Sequence, residues 1–445
     1  MKKIFSILLA AAATITIVGC QKAFQPDPQK KEFEVKRMRD LGEVSPNPVG
    51  NLSNCLLPGS KETIESFRHV SKGRLYYMDY IAEFPFEEMI VRDPELRYKP
   101  NQYQEMVYRL NTLLYKDAVM GEEASNITSA CSGFVCHNPQ GQLLFGRNMD
   151  SGSGNLIVTF HGNQKSGYKF VMMTNQAYVD VMNGIKEPDG KADGIFMNKE
   201  TDLSLALRQP MVSLDGMNEH GLCFAVYQLP NFEPEKALQD SHMPMPVDQN
   251  NPSSEGQITS TTLHYLILSK CRTVKEVEML LGKYDYVTIW NCENVHWYVA
   301  DAEGDYAVFE YWGRGTTESP YELHVMRYND RFNKTNNATY YGVPYEYNSI
   351  ENYYCNQEAA LNYNQDKWQF NFSNKVRVHH MMSAYKPVMS EKEALLCLQE
   401  GSFRIETPDD VTNWSCVYNP AERTMLFNMR NDMSEVYSID LKNDL

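Results

Sequence analysis

The sequence predicts a sheet-rich α+β domain, and two patterns predict it. Short apolar runs joined by tight turns recur around residues 131–145, 297–312 and 414–429. Turns this short make neighbouring strands antiparallel. Segments with helix signals lie between these hairpins. Together the two patterns favour an antiparallel α+β domain over a parallel doubly wound one.

Each hairpin has a strand, a turn and a second strand. In the first, residues 131–136 are followed by His137-Asn138-Pro139-Gln140-Gly141 and then by Leu143-Leu144-Phe145. The second turns at Glu303-Gly304-Asp305, and the third turns at Asn419-Pro420. Gly, Pro, Asn and Asp are the residues that tight turns favour.

Helix signals occur in both halves of the chain. Residues 261–270 form one predicted helix, Thr273 with Glu276 predicts a capping box for the next, and Ser390 with Glu393 begins another that ends near Gly401. Before Cys131, residues 63–70 and 103–119 carry apolar residues at helical spacing, with Asn101 as a candidate cap of the second stretch. We therefore expect a helical leader segment ahead of the sheet-rich domain.

Length and charge exclude two classes of partner. The chain has 445 residues, 42% hydrophobic and 22% charged, with a formal net charge of −15. Nucleic acid requires a basic face, so we expect no nucleic-acid partner. The same charge excludes broad docking on anionic lipid surfaces. No window after residue 20 is long and apolar enough to span a bilayer.

The first residues carry a targeting signal. Lys2 and Lys3 precede an apolar run at residues 4–18, and Ile17-Val18-Gly19-Cys20 resembles a bacterial lipobox. This predicts a signal peptide over residues 1–20, lipidation of Cys20, and export to the periplasmic or cell-surface side of a bacterial membrane, with the lipid as the only membrane contact. An ordinary secretory signal is the alternative. The polar segment 21–35, with two prolines, is typical of a tether.

Neither a metal nor a cofactor is expected. The ten cysteines include no CxxC or Cys/His cluster with metal-ligand spacing. The adjacent pair His379-His380 would point its side chains apart on a strand or a helix. Apart from Cys20 and Cys131, eight cysteines remain, and their pairing cannot be deduced from the sequence.

One cysteine has neighbours suited to catalysis. A lone cysteine on a strand is more often a small core residue than a nucleophile. However, the first hairpin brings its second strand back beside Cys131, so Arg147 and Asp150 can flank the thiol. A nearby cation favours the thiolate form of a cysteine, and Asp150 can orient the amine of the nucleophile's own backbone. A surface Arg–Asp pair is the alternative.

This hairpin resembles a known family. The segment Cys131-Ser-Gly-Phe-Val, followed by Gly146-Arg147-Asn148-Met149-Asp150, is similar to the start of the mature linear amide C–N hydrolases. That group, within the N-terminal-nucleophile superfamily, includes choloylglycine (bile salt) hydrolases, penicillin V acylases, and acid ceramidase with N-acylethanolamine amidase. Arg147 follows the cysteine by 16 positions and Asp150 by 19, the family's spacing. The resemblance implies a four-layer αββα sandwich with two stacked antiparallel sheets.

Further segments carry the resemblance toward the C-terminus. Residues 215–222 resemble the family's Gly-Met-Asn-Glu-x-Gly-Leu segment, and the strand after them ends at Tyr227-Gln228, where the family places an oxyanion donor. Which of these two residues serves is left open. Residues 334–340 resemble the segment with the catalytic asparagine, which points to Asn336. Asn337 and Asn329 are alternatives, and Ala338 replaces the family's proline.

The resemblance also bears on one basic residue and on one departure. Lys375-Val376-Arg377 resembles the family's Ser-Arg-Phe stretch, so Arg377 is a candidate second active-site arginine, with a purely structural role as the alternative. Many members continue from the nucleophile with threonine, whereas Cys131 is followed by Ser132-Gly133. The implied partner is a small-molecule N-acyl amide.

The family chemistry requires a free α-amino group on the nucleophile. That amine is the general base, and its ordinary pKa of about 7.7–8.0 suits proton exchange with a thiol. The Ala130–Cys131 bond must therefore be cut. This divides the chain into a signal peptide (1–20), a tether and helical leader (21–130) and a catalytic domain (131–445). The leader resembles the acid ceramidase branch, in which a cleaved leader stays bound.

The substrate is left open by the sequence. Conjugated bile salts are the leading candidate by family size. N-acyl amides, ceramide-like lipids, N-acyl amino acids and penicillin V present the same linear amide. An acyltransferase and a lipid-anchored binding protein without activity are the two other functions considered. The resemblance also implies a homo-oligomer, often a tetramer.

Overall fold

The computed structural model describes most of the predicted hairpins and helices. The described residues are 33–43, 52–71, 75–98, 103–118, 120, 131–151, 155–162, 167–176, 178–179, 203–229, 254–287, 295–312, 322–327, 349–351, 380–402 and 411–445. The chain divides into two units, residues 1–35 and 36–445, and the fold below belongs to the second. Cys20, Asn101, Ala130, Asn336 and Arg377 lie outside the described residues.

The described elements are eighteen strands, six α-helices and four 3-10 helices. The strands are β1 (Val35–Arg37), β2 (Arg68–Ser71), β3 (Leu75–Asp79), β4 (Ser132–His137), β5 (Leu143–Ser151), β6 (Leu156–His161), β7 (Phe170–Asn175), β8 (Asp215–Asn218), β9 (Cys223–Gln228), β10 (Gln257–Thr259), β11 (Asp285–Val287), β12 (Val295–Ala300), β13 (Tyr306–Trp312), β14 (Glu322–Arg327), β15 (Ser349–Glu351), β16 (Val411–Asn419), β17 (Thr424–Met429) and β18 (Val436–Asp440). The helices are α1 (Ser60–Glu65), α2 (Tyr103–Leu114), α3 (Ser260–Lys270), α4 (Val274–Leu281), α5 (Glu391–Glu400) and α6 (Leu441–Asp444). The 3-10 helices are Met38–Asp40, Leu52–Asn54, Pro94–Leu96 and Leu203–Val212.

The strands form two large sheets and one small one. The first sheet has seven strands in the order β1-β18-β17-β16-β5-β4-β15. The second has nine strands in the order β14-β13-β12-β9-β8-β7-β6-β3-β2. Their described pairings are antiparallel, except that β3 runs parallel to β6. A separate parallel pair joins β10 to β11.

The two large sheets stack face to face. Arg147 on β5 forms an ion pair of 2.7 Å with Asp215 on β8. Trp414 on β16 donates from Nε1 to the same carboxylate at 2.9 Å. The rings of Phe145 and Tyr298 meet edge to face, with centroids 5.2 Å apart. These contacts lie between the sheets and include buried aromatic side chains, so the central core of the domain is the space between the sheets.

A helix covers the outer face of each sheet. On the nine-stranded sheet, Asn218 donates from Nδ2 to the α3 carbonyl of Leu268 at 2.9 Å and to the Cys271 carbonyl at 2.7 Å. On the seven-stranded sheet, Asn148 donates to the α5 carbonyl of Leu398 at 2.9 Å. The layers are therefore helix, sheet, sheet and helix, which is the αββα sandwich expected from the sequence.

The segment before Cys131 is not wholly helical. Helix α1 ends at Glu65, and Arg68–Ser71 is strand β2, so the predicted helix over 63–70 is wrong in its second half. Helix α2 ends at Leu114, five residues earlier than expected. The leader supplies β2 and β3 to the nine-stranded sheet. Strand β2 pairs with β3, and β3 pairs in turn with β6, where Leu75 lies opposite Leu156, 81 positions later. This sheet pairing is a tertiary effect that local helical spacing does not reveal.

The predicted hairpins and caps are present in the structure. The three hairpins are β4–β5, β12–β13 and β16–β17, all antiparallel. Ser390 and Glu393 form the predicted reciprocal capping box at the start of α5. At the start of α4 the predicted box is half formed, because Thr273 accepts from the Glu276 amide but the Glu276 carboxylate accepts from the Arg272 amide. Gly401 follows α5 as predicted, but with a φ of −92° instead of a left-handed one.

Two further features concern the helices and the cysteines of the described residues. No helix in the described ranges is long and apolar enough to cross a membrane. Five buried cysteines of the described domain are free thiols: Cys136, Cys223, Cys271, Cys397 and Cys416.

Candidate active site

A small cavity lies beside Cys131. Its volume is about 40 Å³, roughly the room of three water-sized spheres. Most of its wall is apolar, with Met149, Tyr178 and Met211 among the lining residues. The polar side chains in the wall are Cys131, Ser213, Gln228, Ser260 and His264. The cavity therefore combines one buried thiol with a mostly apolar surface, an arrangement typical of small-molecule sites.

The first hairpin positions Cys131. The register of β4 and β5 pairs Ser132 with Asn148 and Gly133 with Arg147. Continued by one residue, this register puts Cys131 opposite Met149, and the Cys131 Sγ lies 3.6 Å from the Met149 Sδ. The thiol is 3% exposed. A tight antiparallel hairpin thus brings β5 beside the thiol, as the sequence predicts.

Arg147 is completely buried next to this cysteine. Besides the Asp215 ion pair, its guanidinium donates to the carbonyl of Asn148 at 2.6 Å and to that of Val226 at 2.9 Å. Burial lowers the pKa of Arg147, but the neighbouring Cys131, Asp215 and Tyr227 outweigh it and raise this pKa above its ordinary value. Arg147 therefore carries a fixed positive charge next to Cys131, and because it is buried the surface-pair alternative is wrong.

Asp150 occupies the other face of β5. Successive residues of a strand point to opposite faces, so Asp150 lies on the side away from Arg147 and Met149. It is buried and accepts a hydrogen bond from the Thr412 hydroxyl on β16. The hairpin therefore places Arg147 beside the thiol, and it anchors Asp150 in the sheet next to Met149.

Tyr227 and Gln228 reach the site from β9 in different ways. Gln228 lines the cavity together with Cys131. The Tyr227 ring faces the Arg147 guanidinium, whose Cζ is 5.3 Å from the ring centroid. Its hydroxyl lies over Gly133, where a Cβ atom would come within 2.3 Å of it. Burial raises the pKa of Tyr227 well above its usual value, so the phenol is neutral.

Two residues of the site were not singled out from the sequence. Asp215 binds both Arg147 and Trp414, and burial raises its pKa to about 6 against the opposing effect of Arg147. Its only sequence signal is its position at the start of the Gly-Met-Asn-Glu segment. His264 lines the cavity from α3, inside an apolar helix where a lone histidine resembles a core residue.

The remaining predicted site residues receive no structural description. Asn336, Arg377 and Cys20 lie outside the described residues. Within the described residues, no cluster of three or more His, Cys, Asp or Glu side chains could hold a metal ion.

Comparison with solved structures gives remote similarities. Penicillin V acylase from Agrobacterium tumefaciens is 18% identical over 70% of this chain and 87% of its own, with a TM-score of 0.41. A mutant conjugated bile acid hydrolase from Clostridium perfringens is 17% identical over 71% and 93%, also with a TM-score of 0.41. The Caenorhabditis elegans ortholog of N-acylethanolamine-hydrolyzing acid amidase is 12% identical over 65% and 93%, with a TM-score of 0.34. TM-scores this low carry no argument about function.

The family of this chain is shown by comparing its sequence with models of protein families. No curated protein matches the chain. The model of the linear amide C–N hydrolases, choloylglycine hydrolase family, matches residues 131–370, more than half of the chain. The match begins at the buried cysteine that lines the cavity. The chain therefore belongs to the linear amide C–N hydrolases of the choloylglycine hydrolase family, and it is a hydrolase of linear amide bonds.

Proposed function

We propose that this hydrolase is a cysteine N-terminal-nucleophile enzyme that cuts its own chain between Ala130 and Cys131. The observation that carries the proposal is the placement of Cys131, whose thiol lines the cavity beside the buried cation Arg147. A structural core cysteine has no need of a cavity or of a neighbouring charge. The start of the family match at residue 131 supports the same cleavage point.

The proposed reaction proceeds through a thioester. The α-amine of cleaved Cys131 takes the thiol proton, and the sulfur attacks the amide carbonyl. The resulting ammonium gives its proton to the nitrogen of the leaving amine as the C–N bond breaks. Water then attacks the thioester carbonyl, with the amine again accepting a proton. The C–S bond breaks, the ammonium returns its proton to the sulfur, and the carboxylic acid leaves. Donors to the tetrahedral oxyanion typically stabilise it by about 3–4 kcal/mol each.

The proposed donors and positioning residues differ in their support. Gln228 lines the cavity with Cys131, so we assign it the oxyanion contact, and Tyr227 the packing of Arg147. The assignment of Asp150 to orienting the α-amine rests on the family resemblance. Asn336 as second oxyanion donor and Arg377 as second arginine rest on the family resemblance.

We propose that the leader remains bound after cleavage. Strand β3 pairs with β6 along five residues, from Leu75 opposite Leu156 to Asp79 opposite Phe160. Tyr115 of the leader donates to the Ser204 carbonyl at 2.6 Å, and Tyr80 donates to the Leu207 carbonyl at 2.9 Å. Loss of the leader would expose this buried surface to water. The mature enzyme is then a two-chain molecule.

The proposed substrate is an N-acyl conjugate with an apolar acyl part, such as a conjugated bile salt. The mostly apolar cavity wall supports this class, because an acyl chain gains from burial. A panel of a conjugated bile salt, an N-acylethanolamine, an N-acyl amino acid and penicillin V would identify the preferred amine and acyl groups.

Intact mass and N-terminal sequencing test the nucleophile. We expect wild-type protein to yield two fragments, the larger beginning at Cys131, and Cys131→Ala to yield one chain. Cys136→Ala is the matched control, since Cys136 is also a buried cysteine of this hairpin and burial raises its pKa to about 12. This control should be cleaved normally. A single chain in all three proteins would overturn the proposal.

We further propose that the protein is exported and anchored by a lipid on Cys20. The order of features in residues 1–20 supports this: two lysines come first, then an apolar run, and then Val-Gly-Cys. Membrane fractionation of wild type against Cys20→Ser tests it. We expect the wild type in the membrane fraction and the variant in the soluble one, and equal distribution of both would contradict the anchor.

A further inference from the structure

Two buried polar groups in the cavity wall have no hydrogen-bond partner among the residues that the structure describes. They are Nδ1 of His264 and Oγ of Ser213. Both residues line the cavity that contains the Cys131 thiol, and both are at least 95% buried. Buried polar groups in native proteins are nearly always satisfied, so two unsatisfied groups on residues that line one cavity point to a ligand that would reach them there.

Trp297 determines which nitrogen of His264 carries the proton. The Trp297 Nε1 lies 2.9 Å from the His264 Nε2. An indole nitrogen only donates, so Nε2 must be the accepting, unprotonated nitrogen. In the neutral ring the proton is then on Nδ1. The Ser213 carbonyl lies close to the ring, but Nδ1 forms no hydrogen bond of normal geometry with it.

The imidazole is also uncharged. Burial lowers the pKa of His264 to about 3, so the ring is neutral throughout the physiological range. The Phe224 ring stacks on it at 4.9 Å, which keeps the ring in place. His264 is therefore a fixed, neutral N–H donor. A neutral donor suits an uncharged acceptor, because the neutral imidazole itself supplies no charge to offset the desolvation of an anion.

We propose that His264 and Ser213 form a polar subsite for an uncharged oxygen, such as an ether, keto or hydroxyl oxygen, in the acyl chain of the substrate. The acyl part remains attached to Cys131 after the amine leaves, so it is the part that occupies the cavity beside the thiol. This inference rests on the proposed function and narrows it. Plain hydrocarbon acyl chains leave both polar groups unsatisfied, and oxygen-bearing chains satisfy them.

Matched pairs of anilides test the subsite. One member of each pair has an unbranched alkanoyl chain, and the other has one methylene replaced by an ether oxygen at successive positions along the chain. For wild type we expect kcat/KM to favour the best-placed ether by roughly tenfold, the effect of one neutral hydrogen bond with its partner otherwise unsatisfied. Binding of the matched free carboxylic acids, measured by calorimetry, gives a second readout that requires no turnover.

Variants separate recognition from folding. His264→Phe keeps an aromatic ring but removes the donor, so the ratio of kcat/KM between the ether and the alkanoyl anilide should fall from roughly tenfold to about one, whatever loss the two substrates share. His264→Asn retains an N–H near the Nδ1 position and should recover part of the preference. Ser213→Ala, a change of one buried atom, should reduce the preference without affecting Trp297.

The outcomes distinguish this inference from the proposed function. Equal turnover of ether and alkanoyl anilides by wild type, with equal loss of both in His264→Phe, would overturn the subsite and leave the hydrolase mechanism standing. The equal loss of both substrates would indicate that His264 contacts the reacting carbonyl group instead of the acyl chain. An ether preference in binding that depends on His264, without any turnover, would support the subsite and count against the proposed nucleophile. No preference in turnover or binding would overturn the subsite.

Discussion

Replacing Gly133 by alanine tests the packing of strand β4, which follows Cys131, against the opposite sheet. A Cβ atom at this position would lie 2.3 Å from the Tyr227 hydroxyl and 2.6 Å from the Gly146 carbonyl oxygen. Side-chain carbons normally pack at about 3.5–4.0 Å. Both neighbours would have to retreat by about an ångström, and one of them is backbone of the adjacent strand. Overpacking of this kind costs about 1–3 kcal/mol, and the backbone contact puts Gly133→Ala near the upper end.

The contribution of each contact can be separated. Tyr227→Phe removes the hydroxyl, but Cζ would still lie 3.3 Å from the new carbon and the Gly146 oxygen would remain. We therefore expect Gly133→Ala to lower the free energy of unfolding by about 1 kcal/mol less in the Tyr227→Phe background than in the background that keeps Tyr227. The free energy of unfolding in urea measures this, with every variant made on Cys131→Ala so that all are unprocessed single chains.

The control is a glycine in open surroundings. No atom lies within 4 Å of a Cβ built at Gly42, so Gly42→Ala should change the free energy of unfolding by less than about 0.5 kcal/mol. With Cys131 restored, Gly133→Ala should also slow the proposed cleavage, because the displaced strand β4 begins next to Cys131. Unchanged stability, or an equal cost with and without the Tyr227 hydroxyl, would refute the reasoning.

Two further predictions concern the leader and acid stability. Arg208 donates from Nε to Asn111 at 2.7 Å, and its Cζ lies 4.1 Å from the Tyr115 ring centroid. Arg208→Met should therefore weaken the binding of the leader by about 1.5–3 kcal/mol, so that size exclusion detects its release at a lower urea concentration. Arg92, which forms an exposed ion pair with Glu87, is the control, and Arg92→Met should have no effect. His161 stacks on aromatic rings with no described hydrogen bond at either nitrogen, and burial lowers its pKa well below the usual value. Because the unfolded chain takes up the proton first, stability falls as pH drops below about 6.5. In urea titrations at successive pH values, His161→Phe should weaken the fall of the free energy of unfolding with acid. The same change at exposed His137 should leave that fall unaltered. Identical pH profiles for wild type and His161→Phe would contradict the prediction.

The parts of the fold that the sequence predicted are those set by nearby residues. The β4–β5 hairpin follows from Asn138 and Gly141, and the α5 cap follows from Ser390 and Glu393, because turns and caps are interactions over two to five positions. The strand β2 was missed because its pairing with β3 and the rest of the sheet, not its own helical spacing, determines its conformation.

The candidate site divides in the same way. Cys131 and Arg147 could be predicted because one hairpin brings them together. Asp215 could not be predicted, because its contacts with Arg147 and Trp414 cross from one sheet to the other. The tautomer of His264 depends on Trp297, 33 positions away on a different element, and only the three-dimensional arrangement shows it.

The parallel pairing of β3 with β6 has a practical consequence for producing this enzyme. All six residues of β6 are buried, and without the leader one edge of that strand would have no pairing partner. Exposed apolar edges template strand-to-strand aggregation. A gene that starts at codon 131, the beginning of the proposed mature chain, should yield insoluble protein. Recombinant expression should therefore include the leader, so that the proposed cleavage follows folding.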